Sequence, residues 1–355
     1  NGRDHKNNPF NPMDYPWCEG ICDAWDDRHV RRIALQFAAR LGKTTLAINL
    51  MCSSLEYDPE TAMYGTSTKT LVEETVRDKY YKVLENMPPT RTLIPRPSDR
   101  VAARIDLATC KVYCAWAGST TSLADKDPRY KHAGEIDKWS KRLSEEADPF
   151  QLFMERGKEI PNRKELVEST PSITHRSRIE RELINGWNCR FHVPCPKCGK
   201  YNQLIMGKGP STGGIIFDKD EDGRINPSTA AETARYMCPD CGKEWGDEHR
   251  RRQIRKGRWC PEGCVVWRNG RVRGAMANPG PYASFQLSRL YAPTFNFGDI
   301  ARDFAEALLD KDLMQNFVNS TLAETYLPKQ NKKTWEEIGE RLCDESPKDV
   351  VPADR

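Results

Sequence analysis

Two near-identical stretches, Cys195-Pro-Lys-Cys198-Gly-Lys and Cys238-Pro-Asp-Cys241-Gly-Lys, constrain this chain more tightly than anything else in it. A Cys-Pro-x-Cys-Gly turn presents two thiolates to one ion, and its glycine permits the tight turn behind them. Two such turns predict a closed, structural four-thiolate site whose soft ligands favour Zn²⁺. The 39 residues between them exceed what a minimal ribbon uses, so this zinc-ribbon-like insert is expected to carry hairpins of its own. The 13 cysteines are an odd number, and residues 1–16 hold no apolar segment of signal-peptide type. A reducing compartment and metal binding are therefore expected rather than a disulfide framework. Cys260 and Cys264 read as free or structural thiols, Cys18 with Cys22 as lying on a loop, and Cys110 with Cys114 as lying on a strand. No apolar run approaches the roughly 18 residues of a membrane span, and no membrane partner is expected.

Elsewhere, strand and helix patterns alternate. Residues 31–37, 60–65, 110–116 and 164–170 read as strands, and 44–54 and 68–87 as helices. The second helix rests on the spacing of Val72, Val76, Tyr80 and Val83. Pro171 punctuates the last strand. This alternation predicts an α/β fold with a mainly parallel sheet. Residues 1–30, around Trp17 and Trp25, read as an irregular approach segment. Periodicity is weak over 191–245 and helical again over 300–309 and 313–322. The expected division is 1–185 as the core, 186–275 as the metal-binding insert, 276–328 as a helical return to the core, and 329–355 as a charged linker.

The segment Gln36-Phe-Ala-Ala-Arg-Leu-Gly-Lys-Thr-Thr45 joins a predicted strand to a predicted helix, the context a phosphate loop requires. Backbone N–H groups at the helix start would cradle ATP phosphates, with Lys43 reaching the outer ones and the Thr44 hydroxyl on Mg²⁺. Gln36, Arg40, Gly42 and Thr45 complete the candidate ATP site. Phe37 stands where the usual pattern has its first glycine.

A missing first glycine with an arginine inside the loop resembles the large terminase subunit of tailed double-stranded DNA phages, in its lambda-like branch. The order of further segments carries the resemblance: Asn11-Pro-Met-Asp14 with Trp17, Ala117-Gly-Ser-Thr-Thr-Ser-Leu123, Ser169-Thr-Pro171 with Ser177-Arg-Ile-Glu-Arg181, Ser284–Leu290 with Tyr291, and Phe317–Leu322 with Ala323-Glu324. The resemblance implies a P-loop NTPase core of the ASCE type. It also implies ATP-driven packaging of double-stranded DNA by a ring of copies on a portal protein, fed by a small terminase subunit in the host-cell cytoplasm. Lys43, Arg40 and Glu135 would be catalytic, and Ser169 and Thr170 would couple hydrolysis to movement. A nuclease follows the ATPase in this family. The chain ends about where it would begin, so the ATPase portion alone, without DNA cleavage, is expected.

One position departs from the family. In Arg129-Tyr-Lys-His-Ala-Gly-Glu-Ile-Asp137, Glu135 takes the catalytic register while Gly134 stands where an Mg²⁺-linked Asp belongs. Either Asp137, Asp125 or Asp127 supplies the missing carboxylate through water, or the chain binds nucleotide and hydrolyses it poorly, as a DNA-docking or assembly module. A helicase-like or repair ATPase is disfavoured, because no second helicase motor is recognisable. Arg100 and Arg104 read as surface charges. Net charge is only +4, but nine Lys or Arg and one acid, Glu262, lie between Arg250 and Arg273. Arg250, Arg251, Arg252, Arg255, Lys256 and Arg258 are candidates for DNA phosphate contact.

Overall fold

The computed structural model describes residues 12–87, 90–140, 148–207 and 212–328; the linker expected over 329–355 lies outside them. The strands in chain order are β1 (Arg32–Phe37), β2 (Ala62–Thr66), β3 (Arg104–Asp106), β4 (Lys111–Trp116), β5 (Tyr130–Gly134), β6 (Lys164–Ser169), β7 (Cys189–Pro194), β8 (Tyr201–Gln203), β9 (Gly214–Ile216), β10 (Arg235–Met237), β11 (Glu244–Trp245), β12 (Arg258–Cys260), β13 (Cys264–Val266), β14 (Val272–Gly274) and β15 (Tyr282–Leu287). The large sheet has the order β12-β7-β15-β1-β6-β5-β2-β4-β3, with β8 on β7. From β7 to β4 every neighbour is parallel, and antiparallel β12 and β3 close the ends. The expected α/β fold with a mainly parallel sheet is what the chain adopts.

Parallel strands need crossovers that cover both faces, so the central ones are buried throughout. Every residue of β2 and β5 is buried, and in β1, β6 and β15 only the first is partly exposed. The polarity of β5 has a structural reason. Lys131 is fully buried, 2.9 Å from Glu165, and donates to the carbonyls of Met154 and Arg156 at 2.6 Å each. Arg32 and Arg163 also bond Glu165. Burial works against that carboxylate, but Arg32 and Lys131 bring it below its usual range.

Three expectations change. Residues Trp17–Asp26 form a helix rather than an irregular segment, and Trp17, Ile21, Ala24 and Trp25 point from it into the core. Their spacing of three and four was obscured by interleaved Cys, Gly and Asp. Cys18 and Cys22 consequently sit on this helix, not on a loop. The region 186–275 is not a separate insert, because β7 and β12 extend the large sheet and only β9–β11 and β13–β14 stand apart. Likewise 276–328 is more than helical. It contributes β15, which pairs with β1 along its whole length.

Candidate nucleotide site and four-cysteine cluster

Because β1, β5 and β6 are parallel, their C-terminal ends form one rim, the usual place for ligands in open α/β sheets. β6 lies between the other two and so brings a third strand end into the site. Phe37, found where a glycine is usual, still belongs to β1; it is buried and stacked on Trp259 with ring centroids 6.4 Å apart. The loop begins at Ala38, whose N–H donates to Leu287 O at 2.9 Å, while that of Ala39 donates to Ser320 O at 3.0 Å. Gly42 takes φ 77°, a left-handed turn that a side chain would strain, and the helix Lys43–Tyr57 starts directly after it. Its first N–H groups are free of intrahelical partners and lie at the rim.

A cleft of about 580 Å³ opens there, lined by Arg40, Lys43, Glu135, Asp137, Thr170 and Asn319 among others. The buried Lys43 ammonium is 3.1 Å from Glu135 Oε1 and 3.3 Å from Thr170 Oγ1. Burial opposes its charge, but Glu168 and Glu135 outweigh burial and its pKa is raised. Glu135 holds φ 52°, sterically costly for a residue with a side chain, and its other oxygen is 3.3 Å from Lys138. Such backbone geometry persists only where surrounding structure enforces it, often at functional sites. Arg40 is also left-handed, at φ 65°, and exposed. Ser169 is buried; its hydroxyl donates to Thr170 O and accepts from the Asp137 N–H.

Four sequence candidates, Gln36, Thr45, Asp125 and Asp127, lie outside the cleft, and a fifth, Asp137, lines it with its carboxylate already occupied. Gln36 points away from the cleft into the core and donates to Ala323 O at 2.9 Å, since the alternating strand geometry turns it inward. Thr45 is exposed, one position round the helix from Thr44, and does not line the cleft. Asp137 lines the cleft with both oxygens already engaged, accepting from Ser172 Oγ at 2.7 Å and Ile179 N at 2.9 Å. Asp125 and Asp127 are exposed and away from the cleft.

Two residues to which the sequence reading gave no role of their own stand out. Arg178 is buried and donates to the carbonyls of Ile136, Trp139 and Ser140 and to the Asp148 carboxylate, clamping the segment that follows Glu135. Glu168, fully buried near the end of β6, accepts from Thr44 Oγ1 at 2.8 Å. Burial alone would raise its pKa, yet the nearby His132 ring, the Lys43 charge and the Thr44 hydroxyl hold it below the usual carboxylate range. β6 reads Lys164-Glu-Leu-Val-Glu-Ser169, so no signal in the sequence separated Glu168 from Glu165.

The two knuckles meet as their spacing predicts. Cys195 Sγ is 3.8 Å from Cys241 Sγ, Cys198 Sγ is 3.9 Å from Cys238 Sγ, and all four sulfurs lie within 4.8 Å of one another. A tetrahedron with metal–sulfur bonds of about 2.3 Å has edges of about 3.8 Å, so the four thiolates fit one ion. Gly199 and Gly242 take φ 69° and 64°, and each donates its N–H to the first cysteine of its knuckle at 3.0 Å. Among the described residues no other group of three or more His, Cys, Asp or Glu side chains comes together in this way.

The basic stripe divides. Arg251, Arg252, Arg255, Lys256 and Arg258 are exposed, and Arg255 reaches Asp14 at 2.9 Å. Arg250 is fully buried. It pairs with Asp247 at 2.6 Å, donates to the carbonyls of Leu290, Ala292 and Phe295, and lies over the Phe297 ring. Arg250 therefore belongs to the core and is not a phosphate contact; a run of arginines hides which one the helix turns inward. Arg250→Ala is expected to cost about 3–5 kcal/mol, by stranding Asp247 and three carbonyls. The check is thermal unfolding alongside DNA affinity below the transition, which should stay within about twofold. Weaker DNA binding at unchanged stability would contradict this assignment.

Comparison with known proteins agrees with these features. Residues 5–259 match the family described as phage terminase large subunit gpA, ATPase domain. Residues 282–355 match terminase large subunit gpA, endonuclease domain. The second match corrects the expectation of an ATPase portion alone with no nuclease part. That expectation assigned 276–328 to the ATPase because Ser284–Leu290 and Phe317–Leu322 resemble the closing segment of the family's ATPase domain; in the sheet, β15 pairs with β1. The large terminase subunit of Enterobacteria phage P21 is 23% identical over 340 residues, and that of Escherichia phage lambda is 23% identical over 355. Each alignment covers 92% of this chain and 50% of the relative, so the chain spans about half the length of these curated relatives. The ATPase domain of the Thermus phage P74-26 large terminase aligns over 90% of this chain and 95% of its own, at 12% identity and a TM-score of 0.48. With its parallel sheet, phosphate-loop rim and family matches along both parts of its length, the chain belongs to the phage terminase large subunit gpA family.

Proposed function

We propose that this chain hydrolyses ATP to drive double-stranded viral DNA into a procapsid in the host cell. The observation that carries the proposal is Lys43, held at a helix N-terminus 3.1 Å from Glu135, where β1, β5 and β6 end together. Lys43 and Arg40 would bind the outer phosphates, and Mg²⁺ bound with the nucleotide would neutralise charge there. Glu135 would orient the attacking water, since phosphoryl transfer depends mainly on positioning and charge. Thr170, touching Lys43, and Ser169, touching Asp137, would pass the state of the phosphates to the segment beyond Pro171.

The four thiolates suit structural Zn²⁺. Exposed Arg251, Arg252, Arg255, Lys256 and Arg258 would contact DNA phosphates without reading sequence, as a motor that moves any DNA requires. A ring of copies, a portal protein and a small terminase subunit are the partners this reading entails. Gly134 favours a second reading, a chain that binds nucleotide without turnover.

The test is Mg²⁺-dependent ATP hydrolysis by the chain, with and without double-stranded DNA. Turnover raised by DNA and lowered about 10²–10³-fold in Lys43→Ala is expected, the loss typical of removing one charge-stabilising donor. ATP bound but not hydrolysed with DNA at high protein concentration would favour the second reading. Neither binding nor turnover would refute both.

A further inference from the structure

β5 ends without a carboxylate at Gly134, but the space beside it is not empty of one. Gly134 is paired in register with Glu168 on neighbouring β6. A Cβ at residue 134 would come 3.4 Å from Glu168 Oε1. The side chain that β5 lacks is thus replaced in position by one reaching across from the adjacent strand, and glutamate is a methylene longer than aspartate. We propose that Glu168 supplies the carboxylate of the divalent-cation site, in place of the residue missing at 134; this rests on the ATPase reading above.

Three further observations support the assignment. Glu168 Oε1 accepts from the Thr44 hydroxyl at 2.8 Å, and that hydroxyl is the group a phosphate loop offers to the cation. The second oxygen, Oε2, is buried and has no hydrogen-bond partner among the described residues. Such an orphaned acceptor costs free energy unless an ion or its water completes it. The ionisable groups around Glu168 are Lys43, whose ammonium bonds Thr170 and Glu135, His132, whose Nε2 is 3.8 Å from Oε1 and whose Nδ1 bonds Tyr80 OH at 2.9 Å, and the buried phenols of Tyr64 and Tyr80. None of them donates a hydrogen bond to Oε2. Gly134 also gains a reason. A carboxylate there would face a second anion within touching distance, so one acid at this spot excludes the other.

The experiment measures Mn²⁺ binding by electron paramagnetic resonance, with a non-hydrolysable ATP analogue, and analogue binding in excess chelator, using the full chain. Three proteins are compared: unaltered, Glu168→Gln, and Glu168→Ala combined with Gly134→Asp, which returns a carboxylate to β5 in the vacated space. The unaltered chain is expected to bind Mn²⁺ with the analogue. Glu168→Gln should weaken Mn²⁺ about 10–100-fold while metal-free analogue binding changes less than about threefold. The double variant should recover most of the Mn²⁺ affinity. Unchanged Mn²⁺ affinity in Glu168→Gln overturns the proposal. So does a loss that the double variant fails to recover at matched thermal stability, because Glu168 would then act only through packing. If the unaltered chain binds no analogue either with or without metal, the ATPase reading itself fails and takes this proposal with it.

Discussion

Glu135→Gln is expected to lower ATP turnover about a thousandfold while leaving ATP binding within a few-fold of the unaltered chain. The change keeps the shape and removes the charge that orients or deprotonates water, and positioned acid–base groups contribute about 10²–10⁴-fold. Binding should survive because Lys43 gains rather than loses freedom when its partner at 3.1 Å becomes neutral. The left-handed backbone at φ 52° is set by Gly134 O, which accepts from Trp139 Nε1 at 2.9 Å, and by Arg178 holding the next carbonyls. The substituted side chain therefore stays in place. Steady-state hydrolysis with double-stranded DNA, beside equilibrium binding of labelled ATP, separates the two quantities. Turnover within tenfold of the unaltered chain would remove Glu135 from the catalytic role.

The second large effect concerns the cysteines. Stripping metal with a strong chelator, or replacing Cys198 and Cys238 with Ser, is expected to unfold the region from 195 to 245 while β1, β5 and β6 stay folded. Metal free energies at four-thiolate sites are on the order of 10 kcal/mol, and the four thiolates join the turn after β7 to the turn after β10. Ile215, Tyr236 and Trp245 of β9–β11 are buried against the main core. Tyr236 packs on Trp245 at 4.8 Å and on Phe297 at 5.9 Å, and Phe297 begins the helix Phe297–Ala307. Amide exchange should rise in β9–β11 and then in that helix, with little change in β6. One zinc per chain by elemental analysis is the companion expectation. A chain purified without metal, yet with protected amides over 195–245, would contradict a structural metal.

The knuckles and the glycine turn before Lys43 were legible because each needs particular residue types at fixed spacing, and β1, β2, β4 and β6 were legible as compact apolar-leaning runs, whereas central β15 was not read as a strand. Glu168 was not legible. Its meaning comes from pairing with Gly134 across a sheet whose order sequence does not reveal, and in one dimension it is merely a glutamate between Val167 and Ser169. Arg250 failed for the opposite reason, since it looks like its neighbours in composition and differs only in the direction its helix turns it. Residues 282–287 were placed by analogy with one domain, although matched by the family's second, because strand pairing and family boundaries need not coincide.

Ala323 sits at a mechanical junction. Its carbonyl receives amide hydrogens from Gln36 on β1 and Gln286 on β15, two adjacent strands. Three residues on, Tyr326 exchanges backbone hydrogen bonds with the segment after Pro171, donating to Ser172 O and accepting from Thr174 N. The chain leaving the sheet is thus tethered both to the strand that feeds the phosphate loop and to the stretch following Thr170. If the nucleotide reading holds, tension applied beyond residue 326 would be borne by those hydrogen bonds and would reach the strand before Lys43 and the segment after Thr170 together. On the ATPase reading proposed above, this exit segment would act as a strain gauge wired to the nucleotide site.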